Sequence, residues 1–176
     1  MKELFDTTSL KIRRATINDV PALAALHVVT FNETHGLTQN VPTFGMRAYQ
    51  WQYAFANDDG SWFCFVIEKE NRELVGFAKG LPYHHEEHAE YSGELNKIYL
   101  LKKYQRMGLG LRLVCKVASE FIDRKIFSML LFGDAANPSN QFYEALGAER
   151  LVTKNGDFHG GYGWKDLKKL VEKYCR

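Results

Sequence analysis

Gln105-Arg106-Met107-Gly108-Leu109-Gly110 follows a strand-like stretch ending at Leu101 and opens an amphipathic run from Leu111 to about Arg124. The order of strand, glycine-bearing loop and helix predicts an anion site. Glycine lets the backbone come close to a ligand, and the first N–H groups of a helix lack internal acceptors and attract phosphate. Lys102, Lys103 and Arg106 put positive charge beside that loop. Further along, Asn137-Pro138-Ser139-Asn140-Gln141-Phe142-Tyr143-Glu144-Ala145-Leu146-Gly147 predicts a second, short helix that carries Tyr143.

Working outward, alternation predicts a strand over Leu10–Ala15, followed by a helix entered at Asn18-Asp19 with Pro21 in its first turn. A second helical stretch covers about Met46–Ala56, and Asn57-Asp58-Asp59-Gly60 is a turn by composition. Trp62–Glu68 and Leu74–Leu81 predict a hairpin. Tyr91–Leu101 predicts a further strand, and Ile126–Gly133 another whose unbroken apolar run implies burial on both faces. Leu151–Lys154 and Gly161–Trp164 flank a turn at Asn155-Gly156-Asp157. The tail sets Leu167, Leu170, Val171 and Tyr174 on one helical face. Within Tyr91–Leu101, Leu95 holds one alternation phase while Ile98 and Leu100 hold the other. A β-bulge near Asn96-Lys97 produces such a slip; two buried faces would produce it as well.

A chain of 176 residues, 45% of them apolar, has the size and composition of one folded domain, residues 1–176. Its formal charge of +2 gives no reason to expect a nucleic-acid partner. Cys64, Cys115 and Cys175 lie far apart without CxxC spacing, two of them in apolar stretches, which is the pattern of reduced, buried thiols in a cytoplasmic protein. The first ten residues lack the apolar core of a leader, and no apolar run reaches the ~18 residues that a membrane span requires. The expectation is a soluble cytoplasmic protein with no membrane partner.

The two motifs together resemble the GNAT superfamily, the acyl-CoA-dependent N-acyltransferases. Its Q/R-x-x-G-x-G/A signature is matched by Gln105, Gly108 and Gly110, and its later Asn, Phe-Tyr and Leu-Gly pattern by Asn137, Phe142-Tyr143 and Leu146-Gly147. The likeness is strong over Glu94–Gly147 and agrees in element order from Leu10 to Trp164. A dinucleotide fingerprint is the competing reading of Gly108-Leu109-Gly110. Leu113 stands where its third glycine belongs, and no G-K-[ST] lysine is present. The resemblance implies an α/β (α+β) fold: a mixed, mostly antiparallel central sheet of six to seven strands flanked by about four helices, with a bulged central strand near Asn96-Lys97. It also implies acetyl-CoA as acyl donor, its pantetheine arm lying like an added strand on the main chain of Ile98, Tyr99 and Leu100 in a V-shaped gap. The pyrophosphate would rest on Gln105, Arg106, Met107, Gly108, Leu109, Gly110 and Leu111, and Asn137 would touch pantetheine. No metal is implied. Many relatives form dimers, so a homodimer is possible.

Acyl transfer from a thioester to an amine needs a neutral amine, a stabilised oxyanion and a protonated leaving thiolate. A lysine-like amine of pKa ~10.4 costs roughly 4 kcal/mol to deprotonate near neutral pH, so a positioned base matters. By resemblance, the N–H of Leu100 polarises the carbonyl and Tyr143 protonates the sulfur, a phenol being a donor throughout the physiological range. The alternative is a core tyrosine with a satisfied hydroxyl. Glu94, just before the expected bulge, is the candidate base, directly or through water, with orientation of the acceptor as its alternative role. His84 and His85 compete for it. Asn137 stands six residues before Tyr143 where many relatives have seven; with Pro138 at the first helical position, a plain capping role is the alternative. His84-His85-Glu86-Glu87-His88 contains H-x-x-E-H, but in a short inter-strand connection that lacks the helix a zinc site requires. Glu86, Glu87 and Glu90 could attract a cationic amine, and Trp51, Tyr53 and Phe31 could line the acceptor pocket or simply pack the core. The acceptor is a small-molecule or peptide amine; polyamines, aminoglycoside-like drugs, amino acids and protein N-termini all fit. With no cysteine in either motif, direct transfer in a ternary complex is expected over an acyl-enzyme. The alternatives are an acyl-CoA-binding regulatory module without turnover and a nucleotide-phosphate-binding protein.

Overall fold

The computed structural model describes residues 9–36 and 40–176. Strands and helices follow in the order β1 (Lys11–Arg14), α1 (Val20–His35), α2 (Phe44–Ala56), β2 (Phe63–Glu68), β3 (Leu74–Pro82), β4 (Gly93–Leu100), α3 (Leu109–Asp123), β5 (Met129–Leu131), α4 (Asn140–Ala145), β6 (Glu149–Val152), β7 (Phe158–Trp164) and α5 (Leu167–Tyr174). The strands form one seven-stranded sheet in the order β1-β2-β3-β4-β5-β7-β6. Pairing is antiparallel at β1–β2, β5–β7 and β6–β7 and parallel at β4–β5. This is the mixed α/β sheet expected, with seven strands and five α-helices among the described residues where about four helices were expected.

By packing, the chain groups into two compact units. One holds the described residues up to Ala78 with Ile98–Leu113; the other holds Lys79–Lys97 with Val114–Arg176. Strands β3 and β4 and helix α3 run through both.

In the first unit, α1 buries Val20, Leu23, Ala24, Leu26, His27 and Thr30, the three- and four-residue spacing of one helical face. Its entry is fixed by charge. The Arg13 guanidinium donates to both Asp19 carboxylate oxygens at 2.8 Å and also binds Glu68 across the β1–β2 pair, and Asp19 accepts the Thr16 N–H at 2.8 Å. These bonds hold the Asp19 carboxyl below its ordinary range, Arg13 foremost. Pro21 occupies the first turn as predicted, and the helix stops at Gly36. Thr43 caps α2 by accepting the Met46 N–H at 3.2 Å. Trp51 packs with Leu23, Ala24, Val66 and Phe77 in the core of this unit. Trp51 is therefore core, whereas Tyr53 is 60% exposed, so the two do not line one pocket.

In the second unit, the Phe121 ring lies close to Gly93 and the Tyr91 ring close to Gly163. A Cβ on Gly163 would lie 2.4 Å from the Tyr91 ring, so β7 has room there for glycine alone. Tyr83, Tyr91, Leu130 and Leu151 form a core cluster, and the α5 face buries Leu167 and Leu170.

Three sequence expectations are corrected. Strand β5 is three residues long rather than the predicted Ile126–Gly133. Burial covers only Ser128–Leu131, and Phe127 and Phe132 are 42% and 53% exposed. Its ladder with β4 joins Gly93 to Met129 and Glu94 to Leu130, and its ladder with β7 runs from Met129 to Leu131. The second correction concerns the thiols. Cys115 and Cys175 are disulfide-bonded across a sequence separation of 60, and Cys64 alone is a free, buried thiol. An amphipathic helix and a C-terminal helix docked against the same core brought together two cysteines that nothing in their spacing connects. Third, α4 starts at Asn140 with Ser139 as its cap, so Pro138 lies in the turn before the helix and not at its first position.

The expected bulge has a signature in the β3–β4 register. The Tyr83 N–H donates to the Ser92 carbonyl at 2.8 Å, and the Leu101 N–H donates to the Val75 carbonyl at 3.0 Å. Between these bonds β3 advances eight residues (83 to 75) and β4 nine (92 to 101). One extra residue on β4 is what a bulge supplies, and it falls within the stretch that contains Asn96-Lys97.

Candidate functional site

The glycine loop lies wholly in the first unit. After β4, a single 3-10 turn, Lys102–Tyr104, is anchored by the Glu33 carboxylate, which accepts the Lys102 N–H at 2.8 Å. Gln105 holds the loop from within: its Nε2 donates to the Leu100 carbonyl at 3.1 Å. Arg106 and Gly108 then take positive φ, 63° and 78°. Alternation of this kind turns successive N–H groups toward one side and builds an anion-binding concavity. At Gly108 the left-handed backbone costs glycine nothing, and the space where a Cβ would stand is open. The first bond of α3 runs from the Arg112 N–H to the Gly108 carbonyl at 3.1 Å. The helix therefore begins at Leu109, two residues earlier than the hydropathy suggests, and the N–H groups of Leu109, Gly110 and Leu111 fall in its first turn, without acceptors inside the helix. The buried Leu109, Leu113, Val114, Val117, Ala118 and Phe121 fix this helix, and the Arg112 guanidinium ties it to the Leu10 carbonyl at 3.3 Å. Arg106, Lys102 and Lys103 are exposed.

Ile98, Tyr99 and Leu100 end β4, and all three are half-buried. β4 continues six residues past Glu94, the last one paired to β5. The Tyr99 ring packs on His27 at 5.4 Å and Phe77 at 5.6 Å, and burial raises its phenol above the ordinary range, with the Arg47 charge opposing.

Glu94, Asn137 and Tyr143 lie in the second unit. Glu94 is half-buried on β4, and its Oε1 accepts a hydrogen bond from Asn96 Nδ2 at 2.8 Å. Together with Tyr83, His85, Glu86, Glu87 and Phe132 it lines an open cavity of about 500 Å³. His85 thus shares a cavity with Glu94, while His84 is exposed and does not line it. The Tyr83 hydroxyl donates to the Glu87 carbonyl at 2.6 Å, fixing the loop that carries the acidic residues. The His84–His88 run is non-helical, and among the described residues no group of three or more His, Cys, Asp or Glu could hold a metal ion. Tyr143 is 7% exposed, its ring 5.6 Å from Tyr162 and 6.3 Å from Trp164. α4 is held by Glu144, whose Oε1 accepts from the Tyr162 hydroxyl and Arg150 Nε, both at 2.7 Å. The Asn137 Oδ1 accepts the Ser139 N–H at 2.9 Å, so its side chain shapes the turn into α4.

The profile of the FR47-like protein family matches residues 84–155, which include both motifs. The chain is 29% identical over 170 residues to a Bacillus subtilis (strain 168) protein described as the uncharacterized N-acetyltransferase YuaI, covering 90% of this chain and 95% of that one. Among solved structures it is similar to the PaiA N-acetyltransferase of Thermoplasma acidophilum in complex with coenzyme A, with a TM-score of 0.68 at 17% identity over 88% of this chain and 98% of that one. It is also similar to the ribosomal-protein-alanine N-acetyltransferase of Brucella melitensis, with a TM-score of 0.63 at 25% identity over 87% and 96%. Residues 84–155 thus match the FR47-like family, and the chain is similar to N-acetyltransferases in sequence and in fold. The relatives named here are described as N-acetyltransferases. No helix among the described residues is long and apolar enough to cross a membrane.

Proposed function

We propose that the protein moves an acetyl group from acetyl-CoA to a primary amine by direct transfer in a ternary complex, in the cytoplasm. The observation that carries this reading is the loop from Gln105 to Leu111. Its two left-handed residues lead into a helix start whose N–H groups have no helical acceptors. That is a receptor for a pyrophosphate, with Arg106, Lys102 and Lys103 adding charge. Ile98, Tyr99 and Leu100 supply main-chain groups to the pantetheine arm, supported by the way β4 outruns its β5 ladder. In this reading Asn137 adds a polar contact from its amide nitrogen, the oxygen being engaged by Ser139.

The amine nitrogen attacks the thioester carbonyl carbon, and the C–S bond breaks. The proton lost by the amine passes to Glu94, directly or through water, and the leaving sulfur takes one from the Tyr143 hydroxyl. The Leu100 N–H polarises the carbonyl oxygen. The cavity holding Glu86, Glu87 and Glu94 suits an acceptor that arrives as an ammonium ion, and Tyr83 and Phe132 give it aromatic walls. Among the described residues the free cysteine, Cys64, is 2% exposed, and the other two are bonded, which favours direct transfer over an acyl-enzyme.

Glu94→Gln tests the base. The expected result is a kcat/KM at least tenfold lower across pH 6 to 9. Full activity across that range would remove Glu94 from the role and pass it to His85, which shares the cavity.

A further inference from the structure

The first unit contains a cation that the proposed chemistry does not use. Arg47, near the start of α2, lays its guanidinium over the Phe31 ring of α1 at 5.3 Å. Its Nη1 donates to the Gln50 Oε1 at 3.0 Å, but its Nε is shut off from water and meets no acceptor among the described residues. Asn32, the residue after that phenylalanine, has the complementary defect: its Oδ1 is buried and receives no hydrogen bond. Three other arginines are neutralised by carboxylates. Arg13 pairs with Asp19 and Glu68, Arg124 with Glu120 at 2.8 Å, and Arg150 with Glu144 at 2.6 Å. Among the described residues no carboxylate pairs with Arg47. Burial pushes its guanidinium below the ordinary range, opposed only in part by the Tyr99 phenol.

A guanidinium drawn out of water with an unmade N–H bond is costly, and so is a buried amide oxygen without a donor. Both costs vanish if a ligand offers an acceptor to one and a donor to the other. The Nε edge of a guanidinium is the face that grips a carboxylate with two parallel bonds. Resting on the proposed amine-acetylating reading, we infer that Arg47 is the receptor for a carboxylate on the acceptor, with Asn32 accepting one of the acceptor's N–H groups. The acceptor is then of the amino-acid kind, an amine that carries its own anion, rather than a polyamine or an aminoglycoside-like drug. Tyr99, whose phenol interacts with Arg47, belongs to the β4 segment assigned to pantetheine, so the receptor stands beside the strand that presents the donor. The phosphates of the cofactor are a second possible source of anion. They have their own receptor in the glycine loop, and the test separates the two.

The experiment uses the full chain with coenzyme A present and measures calorimetric binding of a panel of N-acetyl amino acids against the matching carboxamides, product-like pairs that differ in one negative charge. At least one acid is expected to bind tenfold or more tighter than its amide. Arg47→Gln should bring that ratio to about one without changing the affinity for acetyl-CoA, and Arg47→Lys, which keeps the charge but not the fork, should retain part of it. Unaltered acetyl-CoA binding by both variants shows that they are folded. Equal binding of acids and amides, no binding by any acid, or a preference that survives Arg47→Gln overturns the inference. So does a loss confined to acetyl-CoA affinity, which would make the cofactor the source of the anion. Thiol release with the parent amines is read in parallel. Acid preference without turnover would contradict acetyl transfer and leave Arg47 in place, and turnover on amines regardless of a carboxylate would do the opposite.

Discussion

Tyr143→Phe is expected to lower kcat by roughly 10²-fold while leaving the affinity for acetyl-CoA within about twofold, the scale of losing one positioned proton donor. The substitution is informative because it removes so little else. The ring is 7% exposed and lies among Tyr162, Trp164 and the neighbouring Phe142, so phenylalanine keeps that packing. α4 itself is held by Glu144 and by the Trp164 Nε1–H, which donates to the Leu146 carbonyl at 2.9 Å, and neither bond involves the Tyr143 hydroxyl. Loss of the hydroxyl should cost stability only about 1 kcal/mol. A variant with wild-type kcat would return Tyr143 to the core and leave the sulfur without an assigned donor.

Breaking the Cys115–Cys175 bond is expected to have the largest effect on stability. The bond closes a separation of 60 residues and ties α3, whose first turn belongs to the proposed cofactor loop, to the residue after α5. Chain entropy alone assigns about 4 kcal/mol to a loop of that length, or roughly 8–16 °C in Tm for a chain of this size. Cys175→Ser, or the wild type in reductant, should melt that much lower, whereas Cys64→Ser, a free thiol outside the crosslink, should show no response to reductant beyond that of the wild type. Identical melting with and without reductant would show that the packing of Leu167 and Leu170 already holds α5 without the bond. In the proposed cytoplasmic setting such a bond is unusual and would be exposed to the thiol pool, so its state after expression in a reducing host can be measured by thiol counting.

Local signals carried most of what the sequence told correctly. Pro21 after Asp19, the glycine pair at 108 and 110, and the spacing of Leu109, Leu113, Val117 and Phe121 act within a few residues of themselves, so α1, the glycine loop and α3 were legible to within a turn. The phase slip between Leu95 and Ile98 was a subtler local signal, and the extra β4 residue between Ser92 and Leu101 accounts for it. What escaped depended on partners far away in the chain. The end of β5 at Leu131 is set by how far β4 and β7 accompany it, not by its own hydropathy. Cys115 meets Cys175 only because α3 and α5 dock on the same core. Arg47 reads as an ordinary polar residue of a helix. Its isolation appears only when α1 brings Phe31 to it and no carboxylate follows among the described residues. Glu94 and His85 were named separately by sequence, and their shared cavity required the loop fold that Tyr83 stabilises.

The most direct test of the central claim is calorimetric titration of the purified protein with acetyl-CoA, followed in the same sample by thiol release on adding a pooled panel of primary amines. The account predicts one-to-one binding at micromolar protein, weakened at least tenfold when Gly108 is replaced by valine in its left-handed position, and release of free thiol once the right amine is present. Absence of acetyl-CoA binding would contradict the account at its root, because the loop from Gln105 to Leu111 would then have no pyrophosphate to hold.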